Sequence, residues 1–198
     1  MRLFVVARHA HSKLNEEHRV NGDPKVDVPL TALGEEQARL LGEQLRHVPL
    51  EVCIHTRFPR TRRTAEIALE RLDVPLGMEP LLDDINVGAA LEGAPIDRYR
   101  EVKRGLGRTL PFPGGESLDD AARRYAAGLR RLLASDYSRA LVICHEIPLR
   151  YLLNGSNGSD SLDGPIRELG NAQPFLFDEH ALGRAADRIE ELVGARPL

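Results

Sequence analysis

Four places in this sequence carry a charged or nucleophilic residue just past an apolar run. Arg8 and His9 follow Leu3-Phe4-Val5-Val6-Ala7, and His145 follows Ala140–Cys144. Arg60 comes shortly after Glu51–Ile54, and Asp84 after Val74–Met78. Short apolar runs bounded by polar residues read as buried strands. In open α/β sheets, ligands sit off the carboxyl ends of the strands. If these runs share one sheet, two arginines, two histidines and a carboxylate arrive at one edge. That set suits phosphate chemistry. Guanidinium groups match phosphate oxygens in pairs. An imidazole can attack phosphorus, and a carboxylic acid can protonate the leaving oxygen. At about 4 Å and an effective dielectric near 20, each cation interacts with one phosphate charge by roughly 4 kcal/mol. Phosphoryl transfer depends chiefly on such positioning and electrostatics. The competing readings are that Arg8 and His9 are idle loop residues, or that His9-Ala10-His11 is a metal-binding pair. A metal site needs further His or carboxylate ligands, and the chain is short for a (β/α)₈ barrel.

The elements that position these residues alternate between strand and helix. Thr31 can cap a helix over 32–47, with Ala38, Leu41 and Leu45 on one stripe. Pro59 suits the start of a helix reaching about Leu72. A short helix is expected around 95–104. Ser117, followed by Asp119 and Asp120, caps a long helix whose stripe holds Leu118, Ala122, Tyr125, Leu129 and Leu132. A helix starts over 146–153, and Asn154–Pro165 reads as a long polar loop. Pro174–Asp178 reads as an edge strand, and 179–193 as the last helix. The arginines at 123, 124, 130 and 131 read mostly as a solvated helix face. This alternation predicts a three-layer α/β/α sandwich with a mostly parallel central sheet.

The length of 198 residues fits one domain over 1–198. With 42% apolar residues and a formal net charge of −3, the chain is neither disordered nor broadly attractive to nucleic acid or anionic membrane. Cys53 and Cys144 each close an apolar run and read as buried thiols in a reducing compartment. No run approaches a membrane span and no signal peptide is evident, so the expectation is a cytoplasmic protein. Monomer and homodimer both stay open.

Several blocks resemble the histidine phosphatase superfamily, also called phosphoglycerate mutase-like. The family's opening Arg-His-Gly block is similar to Arg8-His9-Ala10-His11-Ser12, with Asn15, Arg19 and Gly22 at matching spacing. Pro29-Leu30-Thr31, Gly34 and Gln37-Ala38 follow, then Arg60 with Thr64-Ala65. The acid block is Leu82-Asp83-Asp84-Ile85-Asn86-Val87-Gly88, ending in Glu92-Gly93. Gly114-Gly115-Glu116-Ser117 and Cys144-His145-Glu146-Ile147-Pro148-Leu149-Arg150 complete the set over residues 3–153. Four departures stand out. Ala10 replaces Gly, His11 replaces Glu, Asp84 replaces the usual Glu, and Glu146-Ile147-Pro148 replaces Gly-Gly after the second His.

The resemblance implies a phosphomonoester hydrolase that needs no metal or cofactor and acts on a small phosphorylated substrate. His9 becomes a phosphohistidine, Arg8, Arg60 and His145 hold the phosphoryl oxygens, and Asp84 is the general acid. Asp83 and Glu92 are lesser acid candidates. Asn15, Arg19, Ser12 and His11 are the implied substrate-binding residues. Glu116 reads as fixing a turn and Arg150 as structural. A phosphoglycerate mutase is the nearest alternative. The short span between Asp84 and His145 and the Glu92-Gly93 ending favour the phosphatase. A non-catalytic phospho-ligand module would lack the nucleophile or the acid, and both are present.

Overall fold

Strands β1 (Leu3–Arg8) and β4 (Arg139–Cys144) run side by side and parallel, with Arg8 opposite Cys144. That register brings His9 and His145 off adjacent strands at the same level of the sheet. This computed structural model describes residues 1–166 and 168–194. Strands β2 (Val52–His55) and β3 (Leu76–Met78) extend the sheet beyond β4, and β5 (Pro174–Asp178) closes the other edge. The order is β3-β2-β4-β1-β5, parallel except for β5, which pairs antiparallel with β1. The expected mostly parallel sheet and antiparallel edge strand are both present.

Alternation along the strands makes two cores. Phe4, Val6, Ala140 and Val142 face one side, while Val5, Ala7, Leu141 and Ile143 face the other. Helices α2 (Ala32–Leu45) and α3 (Pro59–Ala68) cover the second side, after the short α1 (Lys13–Glu16). Helix α4 (Ile96–Leu106) lies above the carboxyl edge of the sheet. Helices α5 (Leu118–Ala134), α6 (Glu146–Ser156) and α7 (Glu179–Val193) pack together on the first side. Caps set the starts of three helices. Thr31 accepts from the Gly34 amide at 3.1 Å, Ser117 from Asp120 at 3.0 Å, and Asp178 from Ala181 at 2.7 Å. Among the described residues no helix is long and apolar enough to cross a membrane.

Three of the boundaries that differ from the sequence expectation have a cause visible in the structure. Helix α3 stops at Ala68 rather than Leu72, because Leu69 to Val74 fold into successive turns, with the Leu72 amide on Leu69 O and the Val74 amide on Leu72 O. Strand β3 consequently begins only at Leu76. Helix α6 runs on to Ser156, through residues that read as loop. Asn154 is fully buried there, and its amide group binds Leu162 O, Ile166 O and the Ile166 N–H. A polar side chain that reads as a breaker is instead the anchor of the following loop. Gly34 permits another close approach. A Cβ there would stand 2.0 Å from the His11 carbonyl oxygen, so glycine lets α2 pack on the loop after β1.

Candidate active site

The His9 ring is fixed before any substrate is considered. Its Nδ1 lies 2.8 Å from the Ala10 carbonyl, which can only accept, so Nδ1 carries the hydrogen and Nε2 the lone pair. Arg60 Nε donates to that lone pair at 2.9 Å. The backbone beneath is pinned from the far end of the chain: Asn171 Nδ2 donates to His9 O at 2.8 Å and the Ala172 amide to Arg8 O at 3.0 Å. Ala172 holds φ of 53°, a left-handed conformation that costs a non-glycine residue energy. Burial first, then the Arg60 and Arg8 charges, push the His9 imidazole well below its ordinary pKa.

Arg60 sits in the first turn of α3 and is the hub of the site. One Nη2 lies 3.2 Å from Asp84 Oδ2 and 3.1 Å from His145 Nδ1, and Asn21 accepts from Nη1. Its guanidinium also stacks over the Phe58 ring at 4.3 Å. Burial lowers its pKa to about 10, with Asp84 opposing, so it stays charged at neutral pH.

His145 has no exposed surface and stands behind Arg60. The His9 and His145 ring centroids are 5.4 Å apart. His145 Nε2 faces Thr56 Oγ1 at 2.9 Å, Thr56 Oγ1 faces Thr61 Oγ1 at 2.9 Å, and Thr61 donates to Phe58 O at 2.8 Å. Because the chain ends on a carbonyl, every hydroxyl in it points the same way, and Nε2 must be the donor. Nδ1 then holds the lone pair toward Arg60 and Asp84. Burial, then Arg60 and His9, hold this imidazole well below its ordinary pKa.

Asp84 Oδ1 accepts the Ile85 amide at 3.0 Å, which leaves Oδ2 turned to Arg60 and, at 3.6 Å, to His145 Nδ1. Enclosure raises the Asp84 pKa; Arg60 and the Ile85 N–H oppose it. The lesser acid candidates are committed elsewhere. Asp83 pairs with Arg57 at 2.5 Å, and Glu92 accepts the Gly22 and Asp23 amides at 2.7 and 2.9 Å.

A cavity of about 780 Å³ opens in front of His9, Arg8, Arg60 and Asp84. Of the implied substrate-binding residues, His11, Ser12, Asn15 and Arg19 all line it. Their side chains are differently engaged. Ser12 is buried and donates to Asn15 Oδ1 at 3.1 Å, His11 Nδ1 meets Thr31 Oγ1 at 3.0 Å, and Arg19 reaches Gly93 O at 2.6 Å near the mouth. His9 and His11 do not converge on a common point: one ring meets Arg60, the other Thr31. Among the described residues no three His, Cys, Asp or Glu side chains cluster as metal ligands. Burial pushes the Cys53 and Cys144 thiols up, the latter to about 12.

Sequence reasoning did not single out Thr56, Asn21, Asn171 or Tyr99. Thr56 alone left a trace, as a hydroxyl at the carboxyl end of β2. Arg124, read with the solvated arginines, instead donates to Leu81 O and Asp83 O at 2.9 and 3.0 Å and to Asp84 O at 3.2 Å. With Glu116 it holds the acid-bearing loop in place.

An imidazole of fixed tautomer beside two arginines and a carboxyl group, at the carboxyl edge of an α/β sheet, is suited to phosphoryl transfer. Comparison with known proteins agrees. The profile of the histidine phosphatase superfamily (branch 1) matches residues 4–185, and the chain belongs to that family. It is 33% identical over 162 residues to a Salmonella choleraesuis protein named probable phosphoglycerate mutase GpmB, covering 78% of this chain and 74% of that one. The alpha-ribazole phosphatase from Shigella flexneri shares the fold at a TM-score of 0.78 and 20% identity, over 89% of this chain and 90% of the other. A mycobacterial glucosyl-3-phosphoglycerate phosphatase solved with VO3 shares it at 0.73 and 23%, over 89% and 90%. The family and these relatives are phosphatases and mutases.

Proposed function

We propose that this protein is a phosphomonoester hydrolase working through a phosphohistidine on His9. The observation that carries the reading is the tautomer of His9: its Nδ1–H is spent on Ala10 O, so Nε2 faces the cavity with a lone pair. A phosphoryl group entering the cavity accepts the Arg60 N–H groups in place of His9 Nε2 and uncovers the nucleophile. Arg8 and Arg60 neutralise its oxygens. The dianion also favours the imidazolium form of His145, whose Nδ1–H then donates to a phosphoryl oxygen.

His9 Nε2 forms a bond to phosphorus as the bond to the ester oxygen breaks. Asp84, whose proton is held more tightly because the carboxyl is enclosed, gives that proton to the departing alkoxide. The resulting carboxylate then takes a proton from water as the water oxygen attacks the phosphohistidine. Inorganic phosphate leaves, and both His9 and Asp84 return to their starting states. The groups that neutralise charge here belong to the chain, so the reading includes no metal or cofactor. The substrate is a small phosphorylated metabolite, and names such as alpha-ribazole phosphatase among the structural relatives fit that size class. The test is phosphate release from a set of phosphomonoesters by wild-type protein and His9→Ala, with EDTA present. Turnover that His9→Ala abolishes supports the reading. Transfer of the phosphoryl group between two positions of phosphoglycerate, with no phosphate released, would favour the mutase.

A further inference from the structure

The departure at Glu146 occupies a place that the proposed mechanism does not use. Glu146 is the first residue of α6, directly after His145, where the helix N-terminus favours an anion. Its carboxylate turns instead to two arginines of the cavity. It lies 3.0 Å from Arg8 Nη1 and also binds Arg150, one turn along the helix. The inner wall of the cavity continues the pattern. Arg150 and Lys103 share Asp163 behind them, at 3.8 and 3.4 Å. Arg8, Arg150 and Lys103 are all largely enclosed, so their counter-charges are poorly screened. Among the described residues, every Arg and Lys of the inner wall, Arg60 with Asp84 included, therefore has a carboxylate of this chain beside it. Arg19 and Arg100 stand at the solvent-exposed mouth, where water screens them.

The same wall offers hydrogen-bonding groups that the chain itself leaves unused. The Tyr99 hydroxyl and the Arg8 and Arg150 Nε atoms are buried without a hydrogen-bond partner among the described residues, and all three residues line the cavity. Tyr99 stacks on Phe112, which fixes its ring. Ile96, Ile147 and Leu169 supply apolar surface between them.

We propose that the site selects phosphomonoesters whose leaving alcohol is uncharged and hydroxyl-bearing, and that Glu146 is the residue that excludes a second anionic group. The phosphate goes to Arg60, Arg8 and His9. The remainder of the substrate meets an internally neutralised wall, where hydroxyls can pair with Tyr99 and Glu146 and a carboxylate would face Glu146 directly. This inference rests on the proposed phosphatase activity and deepens it.

The experiment compares kcat/KM for glycerol 2-phosphate and ribose 5-phosphate with that for 3-phosphoglycerate, each normalised to nitrophenyl phosphate. Wild-type protein should favour the uncharged alcohols by about tenfold or more. Glu146→Gln, which keeps the shape and removes the charge, should narrow that ratio by about fivefold or more. Tyr99→Phe should raise KM for the polyol phosphates by a larger factor than KM for nitrophenyl phosphate. A wild-type preference for 3-phosphoglycerate overturns the inference, as does a ratio that Glu146→Gln leaves unchanged. Either result with nitrophenyl phosphate still hydrolysed leaves the phosphatase reading standing. No hydrolysis of any ester overturns both.

Discussion

Asp84→Asn separates proton donation from pocket shape. In the wild type, Oδ1 is held by the Ile85 amide at 3.0 Å, and Oδ2 lies 3.2 Å from Arg60 Nη2. Asparagine can keep the first bond through its carbonyl. Its NH₂ then takes the place of Oδ2, and an amide cannot supply a proton to an alkoxide. General acid catalysis contributes roughly 10²–10⁴-fold, or about 3–5 kcal/mol of barrier. Phosphorylation of His9 by an alkyl phosphate should slow by that factor. Nitrophenolate leaves without a proton, so the same step with nitrophenyl phosphate should slow by less than about fivefold. Asparagine, like the protonated acid, places no negative charge beside Arg60, so KM for nitrophenyl phosphate should not rise. Rapid-quench measurement of the phosphoenzyme with both substrates gives the two rates. Equal losses would refute the reasoning and make Asp84 a shaping residue.

Other outcomes follow from the same geometry. The lowered His9 pKa extends the unprotonated nucleophile to lower pH and the raised Asp84 pKa extends the protonated acid to higher pH, so kcat/KM for alkyl phosphates should peak on the acid side of neutrality and fall as Asp84 ionises; a peak above about pH 8 contradicts this. His9 and His145 are neutral when folded and take up protons when unfolded, so their contribution to stability is present above the ordinary His pKa of about 6.5 and lost as pH falls below it; urea midpoints across pH 7 to 5 should decrease. Thr56→Val strands the His145 Nε2–H and should lower kcat by about tenfold or more at a stability cost of about 1–3 kcal/mol, with Thr56→Ser restoring both. Gly34→Ala drives a Cβ against the His11 carbonyl and should lower Tm by about 4 °C or more, read by thermal unfolding.

Much of the site was legible because it depends on strand ends. Arg8-His9 and Cys144-His145 each terminate a clear apolar run, and the parallel pairing of β1 with β4 then places the two imidazoles side by side. Arg60 was readable from Pro59, which fixes the start of α3 beneath the pocket. The residues that order these groups were not readable. Asn171 and Ala172 lie over 160 positions from His9 and meet it only because β5 returns beside β1. Asn21 comes from an irregular segment with no periodicity, and Tyr99, although on the helix α4, reaches the pocket only because that helix docks over the carboxyl edge of the sheet. Arg124 shares its helix with solvated arginines and differs only in which way that helix faces. Asn154 misled because an amide side chain usually marks a turn, whereas here it satisfies the backbone of a neighbouring loop.

The central claim is that His9 Nε2 carries the phosphoryl group during turnover. Brief mixing with a labelled phosphomonoester, followed by denaturation and peptide mapping, tests it directly. The account predicts one labelled peptide containing His9, stable in base and labile in acid, absent in His9→Ala and longer-lived in Asp84→Asn. Turnover with no trapped label, together with substantial phosphate release by His9→Ala, would contradict it.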